Sequence, residues 1–157
     1  MNIRFASLAD IPACVHIGQQ VHATTRFAAL PYEPERVRRQ LRDLITIGQN
    51  QRRTHALLLA ENSAGQIVGG LVACIEHPLF SSLPVATVAQ YLVLPQHRQG
   101  GAGLRLLTAF REWARQRGAA ELQVGVNSGA DIARLDRFLR RLGFQPTGGN
   151  YAWVLAK

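Results

Sequence analysis

The sequence has few of the features that stabilise small extracellular proteins, bind structural metals or cross membranes. Its two cysteines, Cys14 and Cys74, lie far apart, and neither belongs to a CxxC pair or a Cys/His cluster. This excludes a disulfide scaffold and argues against a metal site. The longest apolar run, Ile67 to Ile75, has nine residues, whereas about 20 are needed to cross a bilayer. Because the first residues also lack the apolar run of a signal peptide, we expect a cytoplasmic protein with no membrane partner.

Lysine is almost absent, and arginine carries nearly all of the positive charge. The sequence has 18 basic and 10 acidic residues, a formal net charge of +8, and Lys157 is its only lysine. Such a surplus favours anionic partners such as nucleic acid, acidic lipid headgroups or a phosphate-bearing cofactor. Aromatic residues make up only 7%, and no helix-turn-helix, RNP or zinc motif is present. Nucleic-acid binding is therefore the least favoured of these interpretations.

Strand and helix patterns alternate along the chain, which is typical of a mixed α/β sheet. With 47% hydrophobic residues and no repeat, low-complexity segment or linker, we expect a single domain over residues 1–157. Predicted strands cover residues 2–6, 54–61, 67–77, 85–94 and 122–126, and a final hairpin over 144–155 turns at Gly148–Gly149. One predicted helix begins near Asp10, a second carries Val37 to Ile45, and two more cover residues 101–117 and 131–142.

A glycine-rich turn joins the strand that ends before Pro95 to the helix that follows it. The segment HRQGGAG places Arg98 just before Gly100, Gly101 and Gly103. Glycine permits positive φ and lets a ligand touch the backbone, so we expect Gly103 to leave room for the ligand. The unpaired N–H groups of a helix start attract an anion, and Arg98 adds a positive charge there. The turn therefore predicts a site for a diphosphate.

Two common phosphate-binding motifs do not fit this turn. A Walker loop needs a Lys-Ser/Thr pair where Leu-Arg stands after Gly103, and a dinucleotide fingerprint needs a third glycine where Leu106 stands. The pattern that does fit is [QR]-x-x-G-x-[GA], which is met by Arg98, Gly101 and Gly103. It is preceded by a V-x-P and followed by an L-L pair.

This pattern resembles the signature of the GNAT superfamily of N-acyltransferases, which use it to hold the pyrophosphate of acetyl-CoA. The opening RFASLADIPACVHI and the late segment LRRLGF are also similar to this family, and the resemblance covers essentially the whole chain. It implies a mixed, mostly antiparallel central sheet of six to seven strands flanked by about four helices. Two parallel strands of that sheet would splay apart, and the pantetheine arm would pair with strand backbone in the gap.

The resemblance implies acetyl-CoA as the acyl donor, with no metal. Strand residues would supply backbone groups to the pantetheine arm, and the turn would take the diphosphate. On the late helix, Ile132 and Leu139 replace the family's usual asparagine and tyrosine, and Asn127 is the candidate to replace that asparagine. The implied cofactor-binding residues are Tyr91, Leu92, Val93, Leu94, Arg98, Gln99, Gly100, Gly101, Ala102, Gly103, Leu104 and Asn127.

The same resemblance places an acceptor groove between the loop after the first helix and the last hairpin. The implied acceptor-binding residues are Arg26, Tyr32, Glu33, His77 and Asn150. The candidate base, direct or through water, is Glu76, and the candidate acid is Tyr151. A thiol with a pKa of about 8.5 leaves readily, so losing the family's tyrosine should cost only about 1–2 kcal/mol. An alkylamine with a pKa near 10.4 is protonated at pH 7, a handicap of about 4–5 kcal/mol, so the base matters more.

The favoured function is an N-acetyltransferase that passes the acetyl group of acetyl-CoA to a primary amine of a small molecule or peptide, by direct attack in a ternary complex. The alternative is a catalytically weak or inactive acyl-CoA-binding sensor or partner module, which the missing tyrosine motivates. A nucleic-acid-binding domain ranks last. Because family members often form dimers, a homodimer also remains open.

Overall fold

The structure, a computed structural model, describes residues 1–49, 53–129 and 131–153, which build one mixed sheet with helices against both of its faces. The strands are β1 (Asn2–Phe5), β2 (His55–Glu61), β3 (Ile67–Glu76), β4 (Val85–Val93) and β5 (Glu121–Val124). The helices are α1 (Ile11–His22), α2 (Pro34–Gln49), α3 (Ala102–Arg115) and α4 (Ile132–Arg141). Short 3₁₀ turns lie at Leu8–Asp10, Arg26–Ala29 and Pro95–His97.

The strands lie in the order in which they occur in the sequence, from β1 to β5. The first four pair antiparallel, and β4 and β5 are parallel. The predicted mixed α/β sheet, the four helices and the parallel pair are confirmed. The predicted number of six to seven strands is wrong, because the described sheet has five.

The missing strands are those of the expected terminal hairpin. Residues 144–153 form no strand, and residues 154–155 of that prediction lie outside the described residues. Tyr151 and Trp153 are 99% and 90% exposed. The alternating pattern of this segment fits a strand, but a strand also needs a neighbour for its backbone and a surface for its apolar face. In the described part of the segment neither is found.

The two faces of the sheet are covered unequally. On one face, α3 buries Leu106, Phe110 and Trp113 against β2, β3 and β4, as its helical spacing predicts. On the other face, α1 and α2 form a smaller cluster around Ile11, Val15 and residues of β2. This second face leaves part of β3 and β4 uncovered, and the candidate site lies there.

An arginine in the first strand ties three segments together. The Arg4 guanidinium donates to Asp10 at 2.7 Å and to Glu61 at 2.7 Å. Asp10 also accepts the backbone N–H of Ser7 at 2.7 Å, as expected for a helix start. The hydrogen bonds from Arg4 hold the pKa of Asp10 well below its ordinary value. The network fixes β1 and the start of α1 against the end of β2.

Replacing Arg4 with methionine should lower the free energy of unfolding by about 1 kcal/mol at pH 7, the upper range for partly exposed, solvent-screened pairs. A carboxyl whose folded pKa is depressed stabilises the fold above its unfolded pKa and loses that contribution on acidification. The difference in unfolding free energy between wild type and variant should therefore begin to narrow below about pH 4 and close only as the pH falls through the depressed folded pKa of Asp10. Urea unfolding at several pH values from 7 down to about 2 measures this difference. The control is Arg38→Met, which breaks an exposed pair with Glu35, and a gap independent of pH would contradict the prediction.

Candidate active site

The parallel strands β4 and β5 separate partway along β4. Their pairing runs from Val85 opposite Glu121 to Val88 opposite Val124, whereas β4 continues to Val93. At the same place the register with β3 shifts, so that Val72 faces Gln90 and Ala73 faces Val88. Ala89 is therefore the extra residue of a β-bulge. Bulges next to the end of a pairing commonly re-aim a strand at a functional site.

Beyond the bulge, every second backbone amide of β4 faces the gap left by β5. The amide of Leu94 donates to Val68 of β3 at 3.0 Å. Because ladder bonds alternate along an antiparallel pair, the amide of Leu92 also faces β3, and those of Tyr91 and Val93 face the gap. The carbonyl of Val93 accepts from Arg98 Nε at 3.2 Å. Of the four strand residues expected to pair with a cofactor, Tyr91 and Val93 have the suitable direction.

The glycine turn ends in a helix start that has no side-chain cap. Gly101 is the N-cap of α3 and adopts a left-handed conformation with φ of 78°, which favours glycine. Since Gly101 has no side chain, it cannot satisfy the amides of the first turn of α3, and these are the groups that bind anions at helix starts. Arg98 stands three residues earlier and borders the same groove. The turn thus has the donors and the charge that a diphosphate requires.

Gly103 has a different neighbour from the one that the sequence suggests. A Cβ added at Gly103 would collide with the hydroxyl of Tyr91. The close approach is therefore made by a side chain of the protein itself, which packs beneath the first turn of α3. Burial raises the pKa of Tyr91 to about 12. In this structure Gly103 therefore lets the helix and β4 pack closely, and because it also lines the groove, its contact with the ligand stays a prediction.

A groove of about 1320 Å³ runs across this region. One end lies between the separated strands, the turn before α3 and α4; we call it the cofactor end. The other end lies between α1, α2 and the exposed face of β2 and β3; we call it the acceptor branch. The predicted residues that line the groove are Tyr32, Glu33, Tyr91, Leu92, Val93, Arg98, Gln99, Gly101, Gly103, Leu104 and Asn127. Leu94 and Ala102 are buried instead, and Gly100 is an exposed part of the turn.

Three arginines of α4 line the cofactor end and were missed by the sequence analysis. Arg134, Arg137 and Arg141 border the groove, as does the acidic Asp131. Their spacing of three and four residues places them on one helical face. That spacing was visible in the sequence, but arginines occur throughout the predicted helices and nothing local shows which face meets a groove. With Arg98, they make this end of the groove basic.

The loop after β5 is held from both sides by predicted acceptor residues. Arg26 Nε donates to the carbonyl of Asn127 at 2.6 Å, and the backbone amide of Arg26 donates to Ser128 at 2.9 Å. Asn150 Nδ2 donates to the carbonyl of Val126 at 3.3 Å. The structure therefore brings Arg26, Asn127 and Asn150 together, with Arg26 and Asn150 bound to the protein's own backbone. Their roles towards an acceptor stay predictions.

Tyr32 and Glu33 border the acceptor branch, and so does His22. The Tyr32 hydroxyl donates to the carbonyl of Val15 at 2.9 Å, and its ring lies 5.3 Å from that of His22. Burial raises the pKa of Tyr32. Its hydroxyl is thus engaged, and the ring serves as a wall. His22 was missed because the end of a helix gives no indication of what it faces.

Glu76 lies near the strand separation on the face of the sheet that carries the acceptor branch. It pairs with Val85, three residues before Val88, or roughly 10 Å along β4. Cys74 shares its face of the strand and lines the groove. The pKa of Cys74 is raised by burial and by the Glu76 carboxylate beside it. Glu76 and His77 themselves border a smaller concavity with Gln123. Tyr151 is almost fully exposed and lies in the segment without a strand.

Replacing Arg98 with methionine should weaken acetyl-CoA binding by at least tenfold, because it removes both the charge at the turn and the donor to Val93. The loss should shrink at high salt, since the charge interaction is screened. Calorimetric titration at low and high salt measures both effects. The control is Arg111→Met on the exposed side of α3, for which we expect unchanged affinity. Equal affinities of the two variants for acetyl-CoA would show that Arg98 does not contribute to cofactor binding.

A comparison of the sequence with known families gives one match. Residues 21–144, which span all of the elements from the end of α1 to the end of α4, match the Acetyltransferase (GNAT) family. The chain belongs to this family of acetyltransferases. Members of the GNAT family use acetyl-CoA, and the strand separation and glycine turn described above lie within the matched residues. No curated protein sequence matches the chain.

Solved structures of GNAT proteins share the fold over almost their whole length. The aminoglycoside 6'-N-acetyltransferase AAC(6')-Ih from Acinetobacter baumannii is 20% identical, with a TM-score of 0.73 over 99% of this chain and 98% of that one. AAC(6')-Iy, in complex with a bisubstrate analogue of CoA and acetylneamine, is 18% identical, with a TM-score of 0.76 over 99% and 98%. Glucosamine-6-phosphate N-acetyltransferase from Arabidopsis thaliana is 13% identical, with a TM-score of 0.76 over 99% and 98%. At these identities the likeness establishes the fold.

Two further features of this GNAT domain concern metals and membranes. The described residues bring no three His, Cys, Asp or Glu side chains together as metal ligands. Within the same residues, no helix is long and apolar enough to span a bilayer.

Proposed function

We propose that this GNAT protein transfers the acetyl group of acetyl-CoA to a primary amine of a small molecule or peptide. The observation that carries the proposal is the coincidence of the β4–β5 separation with the uncapped start of α3. The gap exposes the amides of Tyr91 and Val93 to an extended ligand, and the turn offers Arg98 and backbone donors to a diphosphate. Related structures act on amines, which supports an amine as acceptor. The reaction would take place in the cytoplasm.

Acetyl-CoA supplies the acetyl group as a thioester. The chain positions this group by pairing with the arm along β4, and the amides near the bulge can donate to the thioester oxygen as charge develops there. Glu76, which lies beside Cys74, accepts the proton of the attacking amine, directly or through water. The C–N bond forms, the C–S bond of the thioester breaks, and CoA leaves as its thiolate, which needs little help from an acid near neutral pH. Proximity of the two bound reactants provides the rest of the rate increase.

The departure of α4 from the family pattern favours a second candidate. Leu139, at the position of the family's tyrosine, is packed in the core, while Leu135 and Phe138 face the groove. A protein that binds acyl-CoA as a sensor, with little or no transfer, needs no acid there. Robust transfer to an amine would eliminate this candidate.

Acetyl-CoA binding and acyl transfer can be measured separately. Calorimetry with acetyl-CoA should show micromolar binding, and CoA release detected through its thiol should depend on added amine. Arg98→Met and Arg111→Met serve as the matched pair for the first measurement. Binding without transfer to any of a broad panel of amines would select the sensor. Absence of binding at millimolar acetyl-CoA would contradict both functions.

A further inference from the structure

The acceptor branch is lined mainly by apolar side chains. Between α1, α2 and the open face of the sheet, it extends away from the strand separation beneath β3. Its apolar lining includes Val21, Val37, Leu41, Leu57, Leu59 and Val72. Leu57 and Leu59 belong to a small buried cluster at the base of the branch, and Val37, Leu41 and Val72 pack against that cluster while also bordering the groove. A ligand that fills the branch gains mostly apolar contacts.

Few charges reach this branch. Among the groove-lining residues that the structure describes on α1, α2, β2, β3 and the loop between the two helices, Glu33 carries the carboxylate and Arg36 the guanidinium, beside the imidazoles of His22 and His55. The charges of Glu33 and Arg36 have opposite signs and cancel. The thiols of Cys14 and Cys74 stay protonated, because burial raises the pKa of Cys14 to about 11 and also raises that of Cys74. The branch therefore has no excess of negative charge.

A polycationic amine would be poorly accommodated by such a lining. Each ammonium group that leaves water needs a carboxylate or several acceptors around it, otherwise its desolvation opposes binding. A single amine on an apolar body has only one ammonium group to desolvate, and its body gains apolar contacts. Its amine would lie near Cys74, which pairs with Thr87 close to the strand separation, and its body along the branch.

We infer that the acceptor is a primary amine carried on an apolar aliphatic or aromatic body, which occupies the acceptor branch. The inference rests on the proposed function and refines it by naming the acceptor class. It assigns substrate selection to side chains of α1, α2 and β3, and leaves the chemistry to the strand separation.

The test is a matched series of amines with acetyl-CoA as donor. From propylamine to hexylamine, kcat/KM should rise about fourfold per added methylene, and phenethylamine should resemble hexylamine. Spermidine and kanamycin should be at least tenfold poorer than hexylamine. A flat dependence on chain length, or preferred turnover of the polycations, would overturn the inference. So would a preference for octanoyl-CoA together with loss of the chain-length effect, because the branch would then hold the acyl chain.

A substitution in the branch gives a second readout. Leu41→Glu places a carboxylate on the half-buried inner face of α2, and we expect it to lower kcat/KM for hexylamine at least tenfold while improving spermidine. Thr46→Glu adds the same charge on the exposed side of α2, and we expect it to leave kcat/KM unchanged for both hexylamine and spermidine. If both variants respond alike, the branch does not select the acceptor.

Binding of the same amines to protein saturated with CoA separates this inference from the proposed function. If transfer fails for every amine but calorimetry shows hexylamine binding at least tenfold tighter than spermidine, the acceptor class stands and catalysis is disproved. The reverse order of affinities overturns the acceptor class, whether or not transfer occurs.

Discussion

Glu76→Gln should lower kcat for acetyl transfer by about 100-fold or more, the usual contribution of a general base, with unchanged affinity for acetyl-CoA. Glutamine keeps the shape of the side chain but cannot accept the proton of the amine. Glu76 lies beside Cys74 near the strand separation, whereas the turn that would hold the diphosphate follows the opposite end of β4. A substitution at one end of the strand should therefore leave the other end intact.

The pH dependence distinguishes a base from a structural residue. Without Glu76, only amine molecules that are already neutral can react, so kcat/KM should rise about tenfold per pH unit between pH 7 and 9. The wild type should show a shallower rise. Assays of thiol release across this pH range measure the profiles of the wild type and the variant. Glu35→Gln, on the exposed side of α2, is the control and should match the wild type. A Glu76→Gln enzyme with the rate and pH profile of the wild type would show that another group is the base; His22 and Glu33 line the groove.

Gly103→Ala should lower the melting temperature by several degrees and weaken acetyl-CoA binding at least tenfold. Its Cβ would occupy the position of the Tyr91 hydroxyl, so either the ring or the first turn of α3 must move. Overpacking of this kind costs about 1–3 kcal/mol, which corresponds to roughly 3–10 °C in a domain of this size. The affinity for acetyl-CoA falls when the first turn of α3 moves, because that turn carries the amides that would bind the diphosphate.

In the Gly103→Ala background, Tyr91→Phe should restore both the melting temperature and the affinity for acetyl-CoA. With the hydroxyl removed, the nearest ring atom, Cζ, lies 3.5 Å from the added Cβ, an ordinary contact. Gly100→Ala is the control within the same turn, because its Cβ would be 3.4 Å from the carbonyl oxygen of His97, and we expect it to be tolerated. Thermal unfolding and calorimetry of the wild type and these three variants measure the effect. Failure of the double variant to recover would show that Gly103 contacts the ligand rather than Tyr91.

Much of the fold and the cofactor end could be predicted because the relevant information is local. Arg98, Gly101 and the start of α3 are consecutive in sequence, and glycine, arginine and a helix start have defined chemistry in that order. The apolar spacing of α3 likewise identifies the buried face that Phe110 and Trp113 occupy.

The parts that could not be predicted depend on distant contacts. Tyr91 meets Gly103 across a strand and a turn, and only the packed structure shows that the glycine accommodates a ring. Arg26 and Asn127 are 101 residues apart in sequence. The terminal hairpin was predicted from its Gly148–Gly149 turn and from the family resemblance, neither of which provides a partner for the strand backbone.

The most direct measurement is an NMR titration of ¹⁵N-labelled protein with CoA. If the diphosphate binds at the start of α3 and the arm lies in the gap, the backbone amides of Ala102, Gly103 and Leu104, together with those of Tyr91 and Val93, should show the largest shifts and become protected from exchange. The amides of Leu92 and Leu94, which face β3, should change little. Saturating CoA that leaves the first group unmoved, while other amides shift, would place the cofactor elsewhere and contradict the assignment of this site.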